Sequence, residues 1–131
     1  MPPLRIFIAD HDEVIRNVMT AVLVRDGWQI CGEASTGQEA IGKMASLKPD
    51  LVLMDIELAN PSGLDTTRQI IQQDPAQPIV MLGATDDEAT ARKAFEAGAS
   101  GIVVSREYEE MRVPNLKAVG RAIRDLSRKN A

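Results

Sequence analysis

Apolar positions along the chain alternate between short continuous runs and stripes at helical spacing. Leu51-Val-Leu-Met54 is a continuous run, too short for an ordinary helix and suited to a strand buried on both faces. It closes on a carboxylate, Asp55, and Ala59-Asn-Pro-Ser-Gly63 then breaks regular structure. The same grammar runs through the whole chain. Leu4 to Ala9 predicts a first strand, followed by the acidic turn Asp10-His-Asp-Glu13. Val14, Ile15, Val18, Met19, Val22 and Leu23 then make a helical stripe that Asp26-Gly27 ends. Trp28 to Glu33 predicts a second strand, with Trp28 and Ile30 on one face as packing surface. Ser35-Thr-Gly-Gln-Glu39 opens a second helix with capping-box character, with Ala40, Ile41, Met44 and Ala45 as its apolar face and Pro49 as its stop.

After the central strand, Gly63 leads into a third helix carrying Leu64, Thr67, Ile70 and Ile71. Pro78 to Leu82 predicts a fourth buried strand. Thr85-Asp-Asp-Glu88 caps a fourth helix through Ala91, Ala94 and Phe95 to Gly98. Gly101 to Val104 predicts a fifth strand. A charged connection, 107–112, leads to Pro114 and a fifth helix with Leu116, Val119, Ile123 and Leu126 as its stripe. The basic tail from Arg124 to Lys129 reads as a solvated helix end that complements the dipole. Five strands alternating with five helices imply an α/β fold, a doubly wound parallel sheet with helices on both faces.

Composition narrows the classes. The 131 residues suit one domain with one core, and 44% hydrophobic and 26% charged residues are ordinary for a globular protein. A net charge of −4 argues against a nucleic-acid surface. No stretch approaches the length of a membrane span, and no signal peptide is present, so a cytoplasmic location is expected. The single cysteine, Cys31, rules out an internal disulfide and reads as a small strand residue.

The candidate chemistry lies at strand ends. Asp10, with Asp12 just beyond, follows the first strand, and Asp55 ends the third. In strand order 2-1-3-4-5 these ends are neighbours at the switch point, where α/β sheets place ligands. Clustered carboxylates there suit a hard divalent cation such as Mg²⁺, beside which an aspartate can be a nucleophile toward phosphorus. The segments Leu4 to Asp10, Glu33 to Ala40, Pro49 to Ile56 with Gly63-Leu64, and Ala94 to Gly101 have, in order and spacing, a specific likeness. The chain resembles the receiver domain of two-component response regulators over essentially residues 4 to 127.

That resemblance implies a flavodoxin-like (βα)5 fold and a phosphorelay role. Asp55 would accept a phosphoryl group from a histidine kinase or phosphotransfer protein. Asp10, Asp55, the backbone carbonyl of Glu57 and, in an altered turn, Asp12 would hold Mg²⁺. The surface of the fourth helix, fifth strand and fifth helix would pass the signal to an output domain or effector, or to a second copy in a homodimer. The chain is expected to be a single receiver domain, 1–131, with any output domain outside it. Several positions depart from the family pattern. His11 stands where a second acid is usual, Gly83 where a hydroxyl is usual, Ser105 where a lysine is usual, Ile102 where an aromatic is usual, and Ala59 where a proline is usual. Imidazole is a poor Mg²⁺ ligand, and His11 has a bland alternative, capping or packing the loop. A missing hydrogen bond to a charged group removes about 1.5–3 kcal/mol. Phosphorylation is therefore expected to be impaired or atypical, with a phosphorylation-independent interaction module as the alternative. Two other classes share the fold. A flavin carrier would need a Ser-, Thr- and Gly-rich loop where this chain has Asp10 to Glu13. A hydrolase with Asp55 as nucleophile would use a second acid two residues on, where Glu57 stands.

Overall fold

The computed structural model describes residues 4–83, 88–104 and 116–129. Its elements alternate throughout: β1 (Arg5–Ala9), α1 (Glu13–Arg25), β2 (Gln29–Ala34), α2 (Gly37–Leu47), β3 (Leu51–Asp55), α3 (Gly63–Gln73), β4 (Ile79–Gly83), α4 (Glu88–Glu96), β5 (Gly101–Val104) and α5 (Leu116–Lys129). All pairings are parallel, and the strand order is β2-β1-β3-β4-β5.

The strands pair in parallel because each carries apolar residues on both faces, which only helices above and below can cover. On one face Phe7, Ala9, Val52, Met54, Ile79 and Met81 pack under Ala40 and Met44 of α2, Ile70 of α3 and Ala94 of α4. On the other, Ile6, Ile8, Leu51, Leu53, Val80, Leu82 and Val103 pack under Ile15, Met19 and Leu23 of α1 and Val119 and Ile123 of α5. Trp28 and Ile30 lie against this second cluster, as packing surface. Cys31 is half-buried and packs against the first.

Element boundaries agree with the sequence within about one residue, and the caps explain them. Thr36 caps α2 by accepting the Glu39 amide, while Lys48 closes it in the left-handed region. Gly27 follows α1 at φ 97°, a conformation that costs glycine nothing. Three stripe positions, Val14, Ala45 and Phe95, are exposed, which differs from expectation. Val14 is 67% exposed and Phe95 53% exposed. Each lies at the margin of its helix's apolar stripe, and the buried positions on α1 are Ile15, Met19 and Leu23, four residues apart. The Thr85 cap, Ser105 and the connection 107–112 lie outside the described residues.

Candidate functional site

The site is assembled by strand adjacency. Ala9 at the end of β1 pairs with Met54, so the next residues, Asp10 and Asp55, emerge side by side from the carboxyl edge of the sheet. Both are nearly enclosed, at 6% and 7% exposure. Each carboxylate is aimed by the turn that follows it. The Asp12 amide donates to Asp10 Oδ1 at 2.8 Å, and the Glu57 amide donates to Asp55 Oδ1 at 2.8 Å. Asp12 itself starts α1, its Oδ1 accepting the Val14 and Ile15 amides at 2.9 and 3.3 Å. Behind Asp55, an added Cβ at Gly63 would overlap the Asp55 carbonyl oxygen, so glycine lets the α3 entry close on the strand end.

His11 sits across both acids. Its Nδ1 donates to Asp55 Oδ2 at 2.6 Å and lies 3.8 Å from Asp10 Oδ1. This bond pushes the imidazole above its ordinary pKa, because an adjacent carboxylate favours the charged ring. Burial, and then the Asp55 charge, push the Asp10 carboxyl up to about 6. Two enclosed carboxylates with oxygens within 4.8 Å of one another need positive charge nearby, and the half-exposed His11 ring supplies it.

The structure thus brings together Asp10, His11 and Asp55, three donors within 4.8 Å of one another. Asp12 stands apart from that group with its carboxylate engaged in capping, and Glu57 contributes its amide to Asp55. Gly83 ends β4 beside Asp55 in the sheet, where Leu82 pairs with Asp55, and it offers no hydroxyl. Ile102 on β5 pairs with Met81 of β4 and packs against the core. Sequence reasoning missed Arg16. Its Nη1 donates to the Asp10 carbonyl at 2.7 Å and its Nε to Glu33 at 3.1 Å, which ties the turn carrying Asp10 and His11 to the end of β2. A legible sign was a cation one turn into a helix whose start is acidic.

Known proteins decide the family. The response regulator receiver domain profile matches residues 6–112. This chain belongs to that family. It is 32% identical over 109 residues to the chemotaxis protein CheY of Thermotoga maritima, covering 83% of this chain and 90% of the relative. It is 36% identical over 102 residues to the transcriptional regulatory protein PdtaR of Mycobacterium tuberculosis, 78% of this chain but only 49% of the relative. It is 31% identical over 99 residues to the response regulator GacA of Pseudomonas viridiflava, 75% of this chain and 46% of the relative. The chain thus spans about half the length of those two regulators. Among solved structures, the response regulator domain of Thermotoga maritima CheB superposes with a TM-score of 0.84 at 23% identity, over 95% of this chain and 96% of that one. A LuxR-family response regulator from Aurantimonas superposes at 0.80 with 31% identity, over 94% and 86%. The fold is the flavodoxin-like receiver fold of two-component signalling. Among the described residues, no helix is long and apolar enough to cross a membrane.

Receiver domains typically bind Mg²⁺ through acidic residues. Here Asp10 and Asp55 are suitable oxygen donors, but the third converging donor is an imidazole nitrogen already bonded to Asp55 Oδ2. Mg²⁺ demands an octahedron of oxygens, so the donor set as it stands does not fit Mg²⁺.

Proposed function

We propose that this receiver domain works in a phosphorelay with Asp55 as acceptor, and that its chemistry is atypical. An Asp55 oxygen would attack the phosphorus of a phosphohistidine on a histidine kinase or phosphotransfer protein. The P–O bond forms as the P–N bond breaks, and the leaving imidazole nitrogen takes up a proton. The observation that carries this reading is the His11–Asp55 pair at 2.6 Å, which spends one acceptor oxygen and supplies a local positive charge. Phosphoryl transfer depends on positioning and charge neutralisation. Gly83 offers no hydroxyl to the incoming oxygens, and Ser105, by its side-chain chemistry, offers no charge. Slow, low-stoichiometry phosphorylation follows. Onward signalling would use the face of α4, β5 and α5 toward an effector, an output domain or a second copy, in the cytoplasm.

Incubation with acetyl phosphate, with and without divalent cation, followed by intact mass, tests the reading. Slow partial addition of one phosphate is expected, absent in Asp55→Asn. Addition that persists in Asp55→Asn refutes the acceptor. Fast, complete addition that disappears in Asp55→Asn refutes the impairment. The same His11 pairing favours a second reading, an interaction module whose partner binding needs no phosphate. In that case Asp55→Asn binds the partner as tightly as the parent protein.

A further inference from the structure

We propose that Arg16 is a positioning residue of the site: anchored on Glu33, it fixes the Asp10–His11 peptide and so seats the His11 ring on Asp55. The seating of the ring stands on the geometry alone, while its consequence for Asp55 chemistry rests on the acceptor reading above.

The main chain of Asp10 is held from the end of β2 on both sides. Its amide donates to the Ala34 carbonyl at 3.1 Å, and its carbonyl accepts from Arg16 Nη1 at 2.7 Å. Arg16 Nε donates in turn to Glu33 Oε1 at 3.1 Å, one residue before Ala34. The Asp10 carbonyl and the His11 amide share one rigid peptide plane. Fixing the carbonyl therefore fixes the direction in which the chain leaves for His11. The ring at the end of that lever meets Asp55 Oδ2 at 2.6 Å, and such a bond weakens steeply once its angle is lost.

Arg16 is held at its base, in the first turn of α1, where its amide donates to the Asp12 carbonyl at 3.0 Å. Its side chain is 12% exposed, against 75% for Arg25 and 47% for Arg68, whose pairs with Asp26 and Asp65 lie in solvent. Exposed pairs of that kind contribute little. A nearly enclosed guanidinium needs its acceptors, and its planar fork suits two of them at a fixed angle. The acceptor end is braced as well. Lys43 Nζ donates to the Glu33 carbonyl at 2.8 Å and to Glu39 Oε1 at 2.9 Å, which ties the end of β2 to α2. A purely stabilising Arg16 would need only Glu33. The second bond, to the carbonyl of a residue in the site, gives it the positioning role.

The chain has a single histidine, so its imidazole gives one set of NMR signals. At one fixed pH, the Nδ1 proton bonded to Asp55 is expected to resonate downfield in the parent protein. Arg16→Met keeps an apolar stem and removes both donors. It is expected to lose that signal with an unchanged circular-dichroism spectrum. Glu33→Ala, at a half-exposed side chain, breaks the brace from its other end and is expected to weaken the signal in the same direction. Ile123→Val loosens the core without touching the turn and is expected to leave the signal as in the parent. A parent protein without the bonded proton overturns the proposal. So does the parent's signal intact in folded Arg16→Met or Glu33→Ala, or its equal loss in Ile123→Val. Addition of phosphate from acetyl phosphate, followed by intact mass, reads the consequence. A ring displaced by about 1 Å is expected to slow addition to Asp55 about tenfold to a hundredfold in Arg16→Met. An unchanged rate in a variant that has lost the ring signal refutes the link from Arg16 to Asp55 chemistry. A parent protein that never takes phosphate sinks the acceptor reading alone, since the ring signal still decides the seating.

Discussion

At the scale of the residue, Asp10 and His11 set the electrostatics of the site, and they tilt stability the same way with pH. The Asp10 carboxyl is raised by burial from 3.8 to about 6. Between those values the folded protein holds a proton that the unfolded chain has released. Stability therefore falls as pH rises through that window, and the cost is complete above it. His11 is raised by its bond to Asp55, so its contribution is complete below the ordinary imidazole value and is lost as pH climbs through the folded one. Asp10→Asn removes the carboxyl's cost. It is expected to raise unfolding stability at pH 8 by up to about 3 kcal/mol, at about 1.4 kcal/mol per pKa unit, and to gain little at pH 4. Paired urea melts of parent and variant at the two pH values measure this, and a difference that does not depend on pH refutes it. Asp10 and Asp55 were legible in the sequence because each is an acid closing an apolar strand. The His11 bond was not, because a turn residue's neighbour across strands depends on where the turn points. Gly63 belongs to this scale as well. Gly63→Ala is expected to destabilise by about 1–3 kcal/mol and to slow any modification of Asp55, read by melts and intact mass together.

At the scale of the element, Asp12 shows how a local rule engages a side chain whose role the family pattern leaves open. An acid two residues past Asp10 has the right chemistry for a metal ligand. It also stands two residues before the start of a helical stripe, the position where Asp is favoured as N-cap. The capping geometry holds, with the side chain accepting the Val14 and Ile15 amides. Asp12→Ala is expected to cost about 1 kcal/mol of stability, while Asp12→Ser, which can still cap, is expected to cost far less. Paired urea melts of the two variants against the parent protein measure this. Asp12→Ser costing as much as Asp12→Ala would refute the capping role. The helices were legible from their stripes because α1, α2 and α3 begin at side-chain caps and end in C-cap signals. The outward turn of Val14 and Phe95 was not, since a stripe wide enough to take them in covers more arc than one sheet contact can bury.

At the scale of the whole molecule, the order β2-β1-β3-β4-β5 does the positioning, because it makes β1 and β3 neighbours and sets their acids edge to edge. That order was expected from the family likeness. The alternation of strand and helix alone gives a parallel sheet without its order, since strand adjacency depends on which face each crossover takes. The same topology makes α5 integral to the core. Val119 and Ile123 are fully buried against a cluster drawn from β1, β3, β4 and β5, and Trp28 lies at that cluster's border. Removing the Ile123 side chain opens a cavity among rigid strand residues, and such truncations cost about 2–5 kcal/mol. Ile123→Ala is therefore expected to lower the urea midpoint strongly, with Trp28 fluorescence and far-ultraviolet circular dichroism following one shared transition. Phe95→Ala, at a side chain half in solvent, is expected to change the midpoint little. If Ile123→Ala were silent, or if the two signals separated, α5 would be an appended helix. The face proposed to signal through α4, β5 and α5 would then lack the rigid backing that the proposed relay from Asp55 needs.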